Sequence, residues 1–126
     1  QLVKALIKRT IQIEGARILM MGLTFKENCP DLRNTRVVDV LHELAEYNLQ
    51  IDVFDPWADA TYALHEFGVC LISAPESGGY DAVILAVAHD QFKEIGAAGI
   101  RAFAKPSGVI YDLKYVLPAD SVDLRL

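Results

Sequence analysis

Apolar and amphipathic segments alternate along this chain. Short apolar runs predict five strands, at Arg17–Gly22, Gln50–Phe54, Val69–Ile72, Asp81–Val87 and Gly108–Asp112. Between these runs, apolar residues recur at helical spacing. They predict helices from Asn34 or Thr35 to Tyr47, from about Trp57 to Phe67, and from Asp90 to Ala104 with a break near Gly96–Gly99. The alternation is typical of an α/β protein.

The dipeptide Asp55-Pro56 predicts how the second of these helices begins. Aspartate is a favoured N-cap, and proline is favoured at the first helical position. Gly68 is then a natural end for the helix. A carboxylate at the end of a strand can also bind a ribose, but capping explains Asp55 without a ligand.

The element order predicts a Rossmann-like three-layer α/β/α domain with a mainly parallel five-stranded sheet. In such sheets, ligands bind beyond the carboxyl ends of the strands, near the point where the winding direction reverses. Phe25 and Lys26 follow the first predicted strand, His89 the fourth and Lys114 the fifth. We therefore expect these residues to gather at one edge of the sheet.

The chain begins with Gln1 rather than Met, and residues 2–13 carry apolar positions at helical spacing. We expect residues 1–14 to be the end of a preceding helix, cut from a longer polypeptide, and residues 15–126 to form one domain. A chain of 126 residues is long enough for one such core.

Composition restricts the possible functions. The net charge of −5 argues against nonspecific nucleic-acid binding. No apolar run is long enough to span a membrane, and Cys29 and Cys70 suggest neither a disulfide framework nor a zinc site. These features predict a soluble cytoplasmic protein that needs no metal.

The loop between the first strand and the first long helix is locally basic. Lys26, Arg33 and Arg36 lie beside a helix start, where the macrodipole favours anions. A bound phosphate would explain this arrangement. The alternative is that the three cations are solvated surface charges balanced by neighbouring carboxylates, and charge alone leaves both possibilities open.

Other candidate residues point away from catalysis within this chain. The first predicted strand ends in a single glycine, Gly22, whereas a standard NAD-binding domain has Gly-x-Gly-x-x-Gly at this position. His89 has no adjacent triad partner, which favours a structural role, and Cys29 has no nearby histidine to activate it. His42 and His65 are expected on helix surfaces.

The chain resembles the C-terminal domain of the UDP-glucose/GDP-mannose dehydrogenase family. Five segments carry the resemblance: Gly22–Asn28, Asp31–Thr35, Ile51–Trp57, Ala88–Phe92 and Val109–Lys114. Enzymes of this family oxidise the C6 alcohol of a nucleotide-sugar to a carboxylate in two NAD-dependent steps, with a covalent intermediate on a cysteine. The NAD domain and that cysteine lie N-terminal to this domain in the family.

The resemblance implies roles for particular residues. It implies that Phe25 and Lys26 bind the UDP-sugar, with Lys26 at the diphosphate, and that Arg33 contacts NAD across a domain interface. Lys114 occupies the position where UDP-glucose enzymes of the family carry arginine. A lysine at this position resembles the UDP-N-acetylhexosamine dehydrogenases instead. A lysine lacks the bidentate fork of arginine but can still hold a phosphate oxygen.

The resemblance thus predicts a UDP-sugar-binding domain of an NAD-dependent 6-dehydrogenase, with UDP-N-acetylhexosamine as the expected substrate. The isolated chain is expected to bind without catalysing, and the complete enzyme to be a homo-oligomer. UDP-glucose and GDP-mannose are the alternative substrates. A freestanding nucleotide-binding regulatory module is the alternative from another functional class.

Overall fold

The computed structural model describes residues 2–8 and 11–125. These residues form four helices and five strands, together with a short 3-10 helix at Ala119–Ser121. In chain order the helices and strands are α1 (Leu2–Lys8), β1 (Arg17–Met21), α2 (Val37–Ala45), β2 (Gln50–Phe54), α3 (Ala60–Phe67), β3 (Tyr80–Leu85), α4 (Asp90–Arg101), β4 (Ala104–Asp112) and β5 (Leu124–Arg125).

The five strands pair in the order β2-β1-β3-β4-β5, and every pairing is parallel. Alternate side chains of β1 enter opposite cores, because successive residues of a strand point to opposite faces. Ile18 and Met20 pack in the cluster that contains α1 and α2, whereas Leu19 and Met21 pack in the cluster that contains α4. The predicted three-layer α/β domain is therefore confirmed.

The composition of the sheet differs from the prediction in one strand. The segment predicted as the third strand, Val69–Ile72, forms only an isolated parallel bridge between Leu71 and Val53. It lies beyond the outer strand β2, and none of its side chains is fully buried. The fifth strand is instead β5, whose two residues pair with the end of β4. Apolar and polar residues alternate over positions 122–126, a pattern that is compatible with a strand but was not predicted as one.

The predicted start of the second helix was also wrong. Asp59 rather than Asp55 is the N-cap of α3, and its carboxylate accepts a hydrogen bond from the amide of Tyr62 at 3.1 Å. Asp55 is buried and its carboxylate has other partners, described below. The helix therefore begins at Ala60, and Gly68 ends it as predicted.

Helix α2 begins later than predicted, at Val37, because Asn34 has a left-handed backbone with φ 63° that a helix cannot include.

The helix predicted at the beginning of the chain covers only Leu2–Lys8 and not residues 11–13, while residues 9 and 10 lie outside the described residues. The predicted break in α4 is present at Gly96, which has φ 76°. The helix ends at Arg101, and β4 then begins at Ala104 rather than Gly108.

Candidate functional site

The carboxyl ends of β1, β3 and β4 lie side by side at one edge of the sheet. The chain leaves β1 towards β2 on one side, and β3 lies on the other side of β1, so the winding direction reverses between β1 and β3. Ligands of doubly wound sheets bind in the crevice at this reversal. The loop after β1, which we call the basic loop (residues 22–36), borders it directly.

Gly22 turns the chain from β1 into the basic loop. Its φ of 107° is unfavourable for residues with a Cβ, and a Cβ there would lie 2.7 Å from Cβ of Val87. The turn is fixed by a hydrogen bond from the amide of Gly22 to the carbonyl of Phe54, at 2.9 Å. Only glycine lets the loop leave β1 so close to the segment that follows β3.

The buried carboxylate of Asp55 holds the beginning of the basic loop. Its Oδ2 accepts hydrogen bonds from the amides of Leu23 at 2.7 Å and Thr24 at 3.0 Å, while Oδ1 accepts from the amide of Trp57 at 2.8 Å. Burial opposes ionisation, but hydrogen bonds from His89 and from these three amides outweigh it and hold the pKa of Asp55 below its usual range.

His89 is fully buried beside Asp55, with Nε2 3.0 Å from Oδ2 of that carboxylate. Nε2 also lies 3.2 Å from the Thr24 hydroxyl, and Nδ1 accepts a hydrogen bond from the amide of Asn28 at 2.9 Å. An Nδ1 that accepts cannot carry a proton, so the geometry assigns the neutral imidazole with its proton on Nε2. His89 is therefore paired on both nitrogens, although the sequence suggested an unpaired residue.

The tip of the basic loop projects from this buried base. Phe25 is 52% exposed, although it is a large apolar residue, and Lys26 beside it is also exposed. An open cleft of about 450 Å³ runs from Phe25 to the start of α2, where Arg36 and Asp39 line it. The loop thus exposes an aromatic ring and a cation at its tip, and a second cation, Arg36, lines the cleft beside that ring.

Arg33 lies further along the basic loop, where its side chain is 78% exposed. Its Nε is 3.1 Å from Oδ1 of Asp31, whose carboxylate also accepts from the amide of Arg33 at 2.8 Å. The hydrogen bond from the Arg33 side chain is the main cause of a pKa for Asp31 below its usual range. Arg33 is therefore an accessible guanidinium that already has one carboxylate partner.

Lys114 is exposed in the turn that follows β4. This turn is held by Asp112, which is fully buried and accepts hydrogen bonds from the amides of Lys114 at 3.2 Å, Val116 at 3.0 Å and Leu117 at 2.9 Å. Only β3 separates β4 from β1, so the two lysine-bearing loops begin about 10 Å apart. The expectation that Phe25, Lys26, His89 and Lys114 gather at one edge is confirmed.

A sequence profile described as the UDP binding domain of the UDP-glucose/GDP-mannose dehydrogenase family matches residues 19–119. The chain belongs to this family. The matched region includes the basic loop, Asp55, His89 and Lys114. The resemblance inferred from the five sequence segments is confirmed.

Similarity to individual family members extends over the whole chain. The chain is 61% identical over 126 residues to a UDP-N-acetyl-D-glucosamine 6-dehydrogenase of Pseudomonas aeruginosa. It is 53% identical over the same length to the enzyme with that name from Salmonella typhi. The chain spans about 30% of the length of these two relatives.

Solved structures agree with the fold of this family member. A UDP-glucose dehydrogenase from Pyrobaculum islandicum superposes with a TM-score of 0.73 at 27% identity, over 98% of this chain and 27% of its own. An NDP-N-acetyl-D-galactosaminuronic acid dehydrogenase from Methanosarcina mazei gives a TM-score of 0.80 at 23% identity, over 94% of this chain and 25% of its own. The second likeness concerns the fold alone.

Sequence reasoning missed the polar residues beneath the loop. Thr24, Asn28 and Asp112 were not singled out, and Asp55 was interpreted as a helix cap. A usable signal was present, because Asp55, His89 and Asp112 each stand at or just after the end of a strand that was predicted. Polar residues at the carboxyl ends of neighbouring parallel strands meet at one edge.

Remaining candidates lie away from this network. Cys29 is half-buried and Cys70 is exposed, and both are free thiols. His42 and His65 are exposed on α2 and α3, as expected. Over residues 2–8 and 11–125, no group of histidine, cysteine, aspartate and glutamate side chains is arranged to hold a metal ion. No helix within those ranges has the length and apolarity to cross a membrane.

Proposed function

We propose that this chain binds the UDP moiety of a nucleotide-sugar in an NAD-dependent 6-dehydrogenase, and that the sugar is N-acetylglucosamine. One observation carries the proposal: the basic loop is anchored by buried hydrogen bonds, yet exposes Phe25 and Lys26 beside the reversal of the sheet. A rigid loop that leaves a cation and an aromatic ring in solvent is suited to an anionic ligand with a planar group.

Lys26 and Lys114 are the proposed diphosphate contacts. Both are exposed, and neither forms an ion pair with another residue in the described part of the chain. A lysine without an ion-pair partner has no such contact to break when a phosphate arrives. Phe25 supplies apolar contact next to Lys26. No residue of this chain is proposed as catalytic.

Arg33 is the proposed contact to NAD, which supplies the hydride acceptor when it is bound. The exposed guanidinium fits such a role, because planar N–H donors suit phosphate and ribose oxygens. Its bond with Asp31 fixes its direction but also weakens its attraction for a second anion. We therefore assign to Arg33 a smaller share of ligand binding than to Lys26, and the remaining NAD contacts to the rest of the polypeptide.

The names of the two relatives described above support N-acetylglucosamine as the sugar, since both are UDP-N-acetyl-D-glucosamine 6-dehydrogenases at 53–61% identity. No residue of this chain is proposed to recognise the acetamido group. Selection of the sugar is therefore expected from other parts of the complete enzyme, which we expect to be a homo-oligomer.

Two measurements on the complete protein test the proposal. Calorimetric titration with UDP should give saturable binding that Lys26→Ala weakens. The kcat/KM for UDP-N-acetylglucosamine should exceed the values for UDP-glucose and GDP-mannose. UDP binding without turnover of any of these substrates would favour a regulatory nucleotide-binding module, and a preference for UDP-glucose would refute the proposed sugar.

The isolated chain of 126 residues should be inactive. Mixed with NAD and each nucleotide-sugar, it should produce no NADH absorbance, because no nucleophile is proposed within it. Steady turnover that persists after removal of contaminating enzyme would contradict the assignment of catalysis to other parts of the protein.

A further inference from the structure

We propose that His89 is a positioning residue for the nucleotide-binding lysine, and that a single imidazole tautomer holds the backbone on both sides of Lys26. The inference rests on the proposed function in that Lys26 is taken as a ligand contact. It assigns a role to a buried histidine that does not itself face the ligand.

The hydrogen bonds around His89 have consistent directions only in one tautomer. With its proton on Nε2, the ring donates towards Asp55 Oδ2 at 3.0 Å and the Thr24 hydroxyl at 3.2 Å. The Thr24 hydroxyl then donates its own proton to the carbonyl of Lys26 at 3.1 Å. His89 is thus connected through one side chain to the backbone of Lys26.

The other nitrogen holds the opposite side of the lysine. Nδ1 accepts from the amide of Asn28 at 2.9 Å, and the Asn28 side chain accepts from the amide of Asp90 at 2.9 Å. Asn28 has φ 54°, a conformation that asparagine tolerates better than most residues. Lys26 and Glu27 therefore form the tip of a turn whose two ends are both tied to the segment that follows β3.

The imidazole itself has little freedom to move. It is 0% exposed, and its ring packs edge-on against Phe92 with the centroids 5.2 Å apart. Asp55 accepts the hydrogen bond from Nε2, and its carboxylate is held in turn by hydrogen bonds from three backbone amides. The contacts of the imidazole with Asp55 and Thr24 are buried, so they do not exchange readily with water.

Loss of this support should act on affinity through the population of the binding-competent loop. Lys26 makes no ion pair with another described residue that would hold it in place. If the turn is ordered in only a tenth of molecules, the apparent Kd for a ligand that needs the ordered form rises tenfold. His89 should therefore influence UDP binding without contacting UDP.

Asparagine and glutamine separate the two functions of the ring. In His89→Asn, the side-chain oxygen takes the place of Nδ1 and can accept from Asn28, but nothing reaches Asp55. In His89→Gln, the side-chain amide takes the place of Nε2 and can donate to Asp55, but nothing accepts from Asn28. Thr24→Val retains the shape of Thr24 and removes its hydroxyl, and with it the bonds to the Lys26 carbonyl and to His89. His42→Ala, on the exposed face of α2, is the matched control.

The test is UDP titration of the complete protein with these variants, together with amide hydrogen exchange over residues 23–28. We expect His89→Ala to weaken UDP binding about tenfold, and His89→Asn, His89→Gln and Thr24→Val to weaken it by smaller factors of about three to five. The Asn28 amide should exchange faster in His89→Gln than in His89→Asn. His42→Ala should match the wild type in both measurements.

Folded Thr24→Val and His89→Gln proteins with wild-type affinity for UDP would overturn the inference, and these two variants decide the matter if His89→Ala does not fold. Nitrogen chemical shifts that place the proton on Nδ1 would also overturn it. Failure of the wild-type protein to bind UDP would instead refute the proposed function. In that case, unchanged Asn28 exchange in His89→Gln would still reject His89 as the residue that orders the loop.

Discussion

The lysine and arginine side chains at the two ends of the parallel strands differ in whether they form ion pairs. At the amino-terminal end, the cations are paired: Arg17 Nη1 lies 2.6 Å from Oε2 of Glu76, and Lys105 Nζ lies 3.2 Å from Oδ1 of Asp81. At the carboxyl end, Lys26, Arg36 and Lys114 form no ion pair with any residue in the ranges 2–8 and 11–125. The exception at this end is Arg33, whose guanidinium pairs with Asp31.

The carboxylates explain this difference. Asp81 and Glu76 pair with cationic side chains, although Asp81 also accepts a hydrogen bond from the amide of Arg17. Asp55 and Asp112 at the carboxyl end are buried, and each accepts hydrogen bonds from several backbone amides without pairing with a described lysine or arginine. The buried carboxylates at the carboxyl end thus hold the loop backbone in place and do not pair with the lysines. The comparison teaches that a loop can be ordered by buried acids while its cations stay available to an external anion.

The largest expected effect tests the geometry of the carboxyl end of β1. Gly22→Ala should destabilise the protein by about 3 kcal/mol, because it combines a disfavoured φ with overlap against Val87. Gly15, before β1, has φ 80° but open space around it, so Gly15→Ala should cost about 1 kcal/mol. Urea unfolding measures both. Equal effects would show that the contact with Val87 is not constraining.

The second prediction compares acids at the two ends. Asp55→Asn should cost about 2 kcal/mol, because its Oδ2 serves two backbone amides and His89. Asp52→Asn, at a half-exposed partner of Arg17, should cost less than about 1 kcal/mol. Unfolding curves in urea at pH 7 measure both. Similar costs would remove the distinction between loop-building and charge-pairing carboxylates.

Asp55 should also contribute to acid sensitivity. Its folded pKa lies below its unfolded value of about 3.9, so the unfolded chain binds the proton first as the pH falls. The stability that this group supplies is therefore fully present above about pH 4 and is lost as the pH falls through the lower folded value. Asp55→Asn should flatten the fall in unfolding free energy over that window. An unchanged slope would assign the acid sensitivity to other groups.

Most of the fold was predictable because the central strands are short apolar runs separated by clear turn residues. The failures occurred where local and tertiary signals compete. Asp55-Pro56 is a good local helix start, but the amides of Leu23 and Thr24 lie more than 30 positions away and take the carboxylate. Strand β5 is a different kind of failure: it has only two residues, and the alternation of apolar and polar residues over positions 122–126 was not predicted as a strand.

The location of the candidate site was predictable from the sequence, but the buried hydrogen bonds that hold its loops were not. Because carboxyl ends of parallel strands share an edge, Lys26 and Lys114 could be placed there from the element order alone. The pairing of His89 with Asp55 and Asn28 depends on β3 lying directly beside β1, and no spacing rule gives that neighbour order. The sequence showed which side chains carry charge but not which backbone amides they serve.

The third prediction compares a lysine from each end. Lys26→Ala should weaken UDP binding ten- to hundredfold, about 2 kcal/mol, as expected for loss of one charge-assisted bond. Lys105→Ala should leave UDP binding unchanged, because that lysine is paired with Asp81 at the far end of the strands. Calorimetry on the complete protein measures both. An unchanged Kd in a folded Lys26→Ala protein would make Lys26 a solvated surface residue.

The smallest expected effect concerns Arg33, the basic-loop cation that does have a carboxylate partner. Because Asp31 already accepts from its guanidinium, Arg33→Ala should raise the apparent KM for NAD only about threefold in the complete enzyme, and should leave UDP binding nearly unchanged. Asp31→Ala is the informative companion, since it frees the guanidinium and should not weaken NAD binding through charge. Initial rates at varied NAD, with UDP titrations of both variants, separate the two ligands. A loss of UDP affinity in Arg33→Ala with an unchanged KM for NAD would place Arg33 with the sugar nucleotide and extend its site along the whole basic loop.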